Sequence, residues 1–266
     1  MMMRLGYEAF EILDFGAAKV VFEDLAARFA DVEAEGAEGC EVAERWQEVF
    51  LQAEGLEPRE RASQLWTALE NDPIGPGEAR TSLRIGVAGF LVDLLTQHGI
   101  DFVPPDLSIG RLHLESGRLV EARSWVEAAL DRKPEDIRLQ RFYGDVLWAS
   151  DLRLKARERY AYILLMDPDA TPLEGLPDSA LAGVISAHGR EMAPVYGWLA
   201  RVLPLVDDPG FPDTVAVRAT RVLGAAEDAR RNRRHSEMVD IRTRLKEDLP
   251  EIFDAYMQRL GIGGRL

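Results

Sequence analysis

PPDLSIGRLHLESGRLVEARSWVEAALDRKPEDIRLQRFYGDVLWASDLRLKARERYAYILLMDPDA, residues 104–170, decides the fold, because a residue pattern returns in it at an interval of about 34, a helix-turn-helix period. Ile109-Gly110 returns as Tyr143-Gly144, Ala122-Arg123 as Ala156-Arg157, Leu130 as Leu164 and Pro134 as Pro168. Each copy carries two apolar runs separated by a turn. In the first copy Leu107, Gly110 and Leu114 precede Gly117, and Val120, Val126, Ala129 and Leu130 follow it, which predicts two short amphipathic helices.

The recurring glycines need a reason, since glycine inside a helix costs about 1 kcal/mol relative to alanine. A small residue at 110 and 144 lets the second helix of each pair come close, with Ala122 and Ala156 expected to meet it. Pro134 and Pro168 each end a run of helix formers and start the turn to the next element.

The pattern resembles two tandem tetratricopeptide repeats over about 103–170. The second copy carries the family's large-small pair at Tyr143-Gly144, its small residue at Ala156, its aromatic at Tyr160 and its closing proline at Pro168; the first copy departs from it at His113 and Val126. The resemblance implies an all-α fold, a helical-hairpin superhelix with additional capping helices, because two units are fewer than a solenoid needs on its own. It also implies that ligands lie as peptide or protein segments in a concave groove lined by the first helices. The residues off the packing stripe there are Arg111, Leu114, Glu115, Arg138, Arg141, Asp145, Trp148 and Ala149. Three arginines beside Trp148 suit a peptide with an acidic group and an apolar anchor. The lysine and asparagine clamp of chaperone-binding members is not reproduced, Asp145 standing where an asparagine is expected.

Composition narrows the function class. The 266 residues carry a net charge of -14, which disfavours an ordinary duplex nucleic-acid binder. A single cysteine, Cys40, excludes an intrachain disulfide and suits a reducing compartment. No signal peptide is visible at the start, and the longest apolar stretch, Ile85 to Leu95, is interrupted by Asp93 and too short to span a bilayer. The expectation is a cytoplasmic protein with a protein or peptide partner, no membrane and no nucleic acid, and with homo-oligomerisation open.

Three regions are expected: an acidic helical region 1–76, the repeat core with its preceding helix 77–170, and a helical region 171–266. Tyr7 to Gly36 reads as one helix with a buried stripe. The acidic run Asp31, Glu33, Glu35, Glu38, Glu41 and Glu44 reads as a solvated helix end and loop, with an acidic docking site as the alternative. Helices follow around Trp46 and after Pro58, and Asn71 to Gly77 (NDPIGPG) reads as a boundary. Leu83 to Gly99 reads as a buried helix. Beyond the repeats, Asp169 to Asp178 and Asp207 to Asp213 read as loops, Thr214 to Arg234 as a helix, and Met238 to Leu260 as an apolar stripe divided near Asp248 and Pro250. No strand pattern is found.

The search for chemistry is negative. His98, His113, His188 and His235 are isolated, none with a His or Cys at metal-ligand spacing, no phosphate-cradling glycine loop stands between a strand and a helix, and the acidic surroundings of Cys40 should raise its thiol pKa. Gly261 to Gly264 reads as a frayed tail. No catalytic residue, metal or cofactor is expected, and the reading is a non-catalytic interaction scaffold or adaptor. Arg230, Arg231, Arg233 and Arg234 form the one basic cluster, with Arg218 and Arg221 upstream. It reads as a favourable helix C-terminus paired with the acidic N-terminal half, or as a contact for nucleic acid or another polyanion. A further alternative is a self-associating protein with the Met238 to Leu260 stripe as its seam.

Overall fold

Asp14 sets the first turn of the chain by accepting a hydrogen bond from the Ala17 amide at 2.9 Å, with Leu13 in the left-handed region at φ 58°. The expected single helix from Tyr7 to Gly36 is therefore three pieces in the computed structural model, which describes residues 2–30, 32–75, 77–169 and 175–261. They are α1 (Met2–Glu11), α2 (Phe15–Arg28) and the start of α3 (Glu33–Gln52). The fold is all-α but for one ribbon. After α3 come α4 (Pro58–Glu70), α5 (Glu78–Gln97), β1 (Phe102–Val103), β2 (Leu107–Ser108), α6 (Ile109–Glu115) and α7 (Leu119–Arg132). Then follow α8 (Ile137–Ala149), α9 (Arg153–Met166), α10 (Ser179–Leu199), α11 (Val215–Arg231), α12 (His235–Asp248) and α13 (Pro250–Arg259).

The chain forms two compact units, Met1–Trp125 and Val126–Leu266, and the division falls inside α7. In the first unit one core runs from Ala9 through Phe22, Trp46, Leu65 and Leu83 to Leu112. Phe22 is fully buried in a slot made by two glycines: a β-carbon on Gly6 or Gly39 would stand 2.6 or 2.5 Å from its ring. The acidic run lies on α3 and not in a loop. Glu33, Glu35, Glu38, Glu41 and Glu44 are exposed, while Gly36, Gly39, Val42, Ala43 and Trp46 turn inward; Asp31 lies outside the described residues. That is the amphipathic pattern of a surface helix.

The NDPIGPG break is sewn to the core rather than standing as a linker; of its residues, Pro76 lies outside the described set. The Asp72 carboxylate accepts hydrogen bonds from Trp46 Nε1 at 2.6 Å, Arg45 Nη2 at 3.0 Å and the Ile74 amide at 2.9 Å, and Ile74 is buried. Strands also occur, against expectation. Phe102 pairs with Ser108 and Val103 with Leu107 in an antiparallel ribbon, too short for an alternating pattern to show in sequence.

In the second unit α8 and α9 form a helical hairpin. Asp178 ties α9 to α10: it caps α10 through the Ala180 and Leu181 amides and accepts a fork from Arg157, Nε at 2.7 Å and Nη2 at 3.3 Å. Gly189, at φ 76°, breaks α10 into two segments. Arg259 lies over the Trp198 ring at 4.1 Å and donates to the carbonyls of Trp198 and Leu199 at the α10 C-terminus. The division of the last stripe at Leu249-Pro250 agrees with the sequence reading, with proline in the first turn of α13. Leu245, Ile252 and Tyr256 from this stripe are buried in the unit's own core. No described helix is long and apolar enough to cross a membrane. Residues 170–174, within the expected loop, and the tail beyond Gly261 lie outside the described residues.

Candidate functional site

Of the expected groove residues, Arg111, Leu114 and Glu115 lie on α6, all half-buried. Glu115 is committed to Arg84 on α5 in a two-point fork, Nε to Oε2 at 2.6 Å and Nη2 to Oε1 at 3.0 Å. Arg84 and Arg111 each lie over the Trp66 ring, 5.1 Å from it, and Glu70 lies within 3.0 Å of Arg84 and 3.5 Å of Arg111. A cleft of about 180 Å³ beside this cluster is lined by Trp66, Glu70, Pro104, Asp106, Leu107 and Arg111.

On α8 the expected residues separate. Arg138 and Ala149 are exposed, and Asp145 and Trp148 are half-buried. Arg141 departs from the expectation: only 7% exposed, it points inward, where its Nε donates to Asp145 Oδ1 at 3.0 Å and its guanidinium lies 5.6 Å from the Tyr160 ring. Tyr160 Oη donates to the same carboxylate oxygen at 2.8 Å. Burial pushes the Asp145 carboxyl above its ordinary range, against the pull of Arg141 and Tyr160, and burial also raises the Tyr160 phenol. Asp145 thus pairs with a buried arginine. Trp148 is covered by guanidinium groups of α9, Arg153 at 5.3 Å and Arg157 at 5.8 Å.

The two glycines each face an aromatic ring, a change of partner from the expected alanines. A β-carbon on Gly144 would stand 2.5 Å from Tyr160 Cε1, and one on Gly110 would stand 2.2 Å from Trp125 Cε3. Ala122 and Ala156 are fully buried, but it is the aromatic rings that fill the glycine notches. Trp125 precedes the Tyr160 counterpart by one position, so the first copy supplies its ring from a neighbouring site.

The basic cluster pairs locally. Arg230 binds Glu227 at 2.7 Å, and Arg234 pairs with Asp228 and, at 2.8 Å, with Glu237. Arg231 and Arg233 are exposed and make no ion pair among the described residues. Glu227 is the buried anchor of this end. Burial alone would raise its carboxyl, but hydrogen bonds from Arg230 and Tyr256 and the charges of Arg230 and Arg231 hold it below the ordinary carboxylate range. Cys40 behaves as its neighbours imply: burial, then Glu23 and Glu44, push its thiol up.

A groove of about 740 Å³ between α11 and α12 is absent from the sequence reading. Val222, Ala225, Ile241, Leu245 and Leu249 make its apolar lining, with Val215 at one end. Arg218 and Arg221 stand on the α11 side, Arg244 and Asp248 on the α12 side. The signal was present: Val215, Arg218, Val222 and Ala225 fall at helical spacing, a second stripe beside the one carrying Ala216, Ala219, Leu223 and Ala226 into the core. Among the described residues no group of three or more His, Cys, Asp or Glu is placed to hold a metal ion.

No family model matches the chain, and comparison with curated proteins and with solved structures finds no match.

Proposed function

We propose that the protein is a non-catalytic interaction scaffold in which α6–α7 and α8–α9 are two tetratricopeptide-like units, and that α8 presents a face to a peptide or protein segment. The observation that carries this reading is the glycine-aromatic interlock repeated one period apart, Gly110 with Trp125 and Gly144 with Tyr160. It is a device for close helix pairing in a repeated hairpin, the architecture that commonly serves as a binding surface. Arg138 is exposed at the start of α8, and Trp148, half-buried beneath Arg153 and Arg157, lies near its end. Together they suit a segment with an acidic group and an apolar anchor. Arg141 is outside this face, since it is spent on Asp145.

Photo-crosslinkers at 138 and at 148 test the reading, with a crosslinker at exposed Lys155 on α9 as control. A partner trapped from 138 and 148 but not from 155, and lost with Arg138→Glu plus Trp148→Ala, supports it. Equal trapping from all three positions, or none from α8, removes the α8 face as the site.

Arg231 and Arg233, exposed and without an ion pair among the described residues, favour a second reading, a polyanion contact at the α11–α12 turn. Binding of heparin that weakens steeply with salt and disappears on replacing both arginines with glutamine would support it.

A further inference from the structure

We propose that the groove between α11 and α12 is a docking site for an amphipathic helix of a partner protein, one with an apolar ridge and acidic flanks. The site is separate from the α8 face and does not depend on the repeat reading. Its walls are two helices packed as a hairpin, and its lining is mostly aliphatic, with Ala225 exposed, Val222, Ile241 and Leu249 half-buried, and the buried Leu245 beneath them. A third helix is the element that completes such a surface, laying side chains at helical spacing into the groove.

Charge selects the flanks. The protein is strongly acidic, at -14, yet residues 215–249, the span that lines the groove, hold nine Lys and Arg against six Asp and Glu, with Asp248 the one acid in the lining. Three of those arginines, 218, 221 and 244, line the groove, with at least one on each wall. Arg244 makes no ion pair among the described residues. Arg218 pairs with Asp213, and Arg221 pairs with Asp207 and donates to the Asp208 carbonyl; both carboxylates are exposed side chains before α11. Exposed pairs of this kind contribute little and exchange readily for other carboxylates. A polyanion would leave the aliphatic lining unused, and the lining has no aromatic ring on which a nucleobase could stack.

The test uses the full chain and a labelled designed helix about five turns long, leucine along one face and glutamate on both flanks. Its controls are a scrambled peptide of the same composition and a lysine-flanked version. Fluorescence anisotropy should show the glutamate-flanked helix binding at least tenfold tighter than either control. Ala225→Arg, which fills the groove, should abolish binding. Arg218→Glu, Arg221→Glu and Arg244→Glu together should weaken the glutamate helix at least tenfold and favour the lysine helix instead. That reversal is not produced by a loss of fold, and circular dichroism checks the fold independently. Equal binding of the scramble, or indifference to Ala225→Arg, overturns the proposal. So does heparin binding to the same arginines without regard to Ala225→Arg, which assigns the patch to a polyanion. A dimer seen in sedimentation and dissociated by Ala225→Arg also overturns it, by assigning the groove to a second copy of this chain.

Discussion

Gly144 and Tyr160 fit together because there is no β-carbon between them: one built on Gly144 would stand 2.5 Å from the ring's Cε1. The same relation joins Gly110 and Trp125 one repeat earlier. Both glycines lie inside helices where alanine is the better helix former, so the close approach outweighs the propensity.

Alanine at either position should therefore destabilise the protein by about 1–3 kcal/mol, overpacking exceeding the propensity gain of about 1 kcal/mol. Gly224 on α11 has nothing within 4 Å of its β-carbon position, so Gly224→Ala should stabilise by up to about 1 kcal/mol. Urea denaturation of the three variants reads the sign directly.

Asp72 should behave as a core residue in spite of its place in a proline- and glycine-rich break. Asp72→Ala leaves the Trp46 indole N–H and the Ile74 amide without their acceptor, and should cost about 2–4 kcal/mol. Asp72→Asn keeps one carbonyl oxygen and should cost less. A flexible linker at this position would show no loss in the urea midpoint.

Asp145→Ala should cost about 3 kcal/mol, because it removes the carboxylate that pairs with the buried Arg141 guanidinium. Replacing both, Arg141→Met with Asp145→Leu, should recover most of that loss, whereas Arg138→Glu on the exposed face should change stability by under about 0.5 kcal/mol. A double-mutant cycle at 141 and 145 measures the coupling.

Glu227 should make stability sensitive to acid. Its carboxyl is held below the ordinary range in the folded state, so the folded chain binds its proton less readily than the unfolded chain does. The resulting stability is fully present above the ordinary carboxylate pKa of about 4.3 and is lost as pH falls through the lowered folded value. The stability difference between the wild type and Glu227→Gln should accordingly shrink between about pH 5 and pH 3. A difference that stays constant across that range would show that Glu227 stays ionised or contributes nothing by charge.

Features that depend on local chemistry and near neighbours were legible in the residues alone. Helical periodicity, proline stops and the 34-residue recurrence placed α6 to α9, the break before α11 and the division at Pro250, because capping and amphipathic spacing act within a few residues. What each face meets is set by packing between elements distant in the chain. Asp14 split the first predicted helix by closing a cap that competed with a continuous apolar stripe. Arg141, placed on an open face by its spacing, is buried because Asp145 and Tyr160 come to it from one turn away and from the next helix. The α11–α12 groove exists because two stripes, 26 residues apart at Val215 and Ile241, meet only after the chain reverses at Arg233. Periodicity specifies the direction of a side chain about its own helix axis; it does not specify the partner, and burial, pairing and grooves are properties of partners.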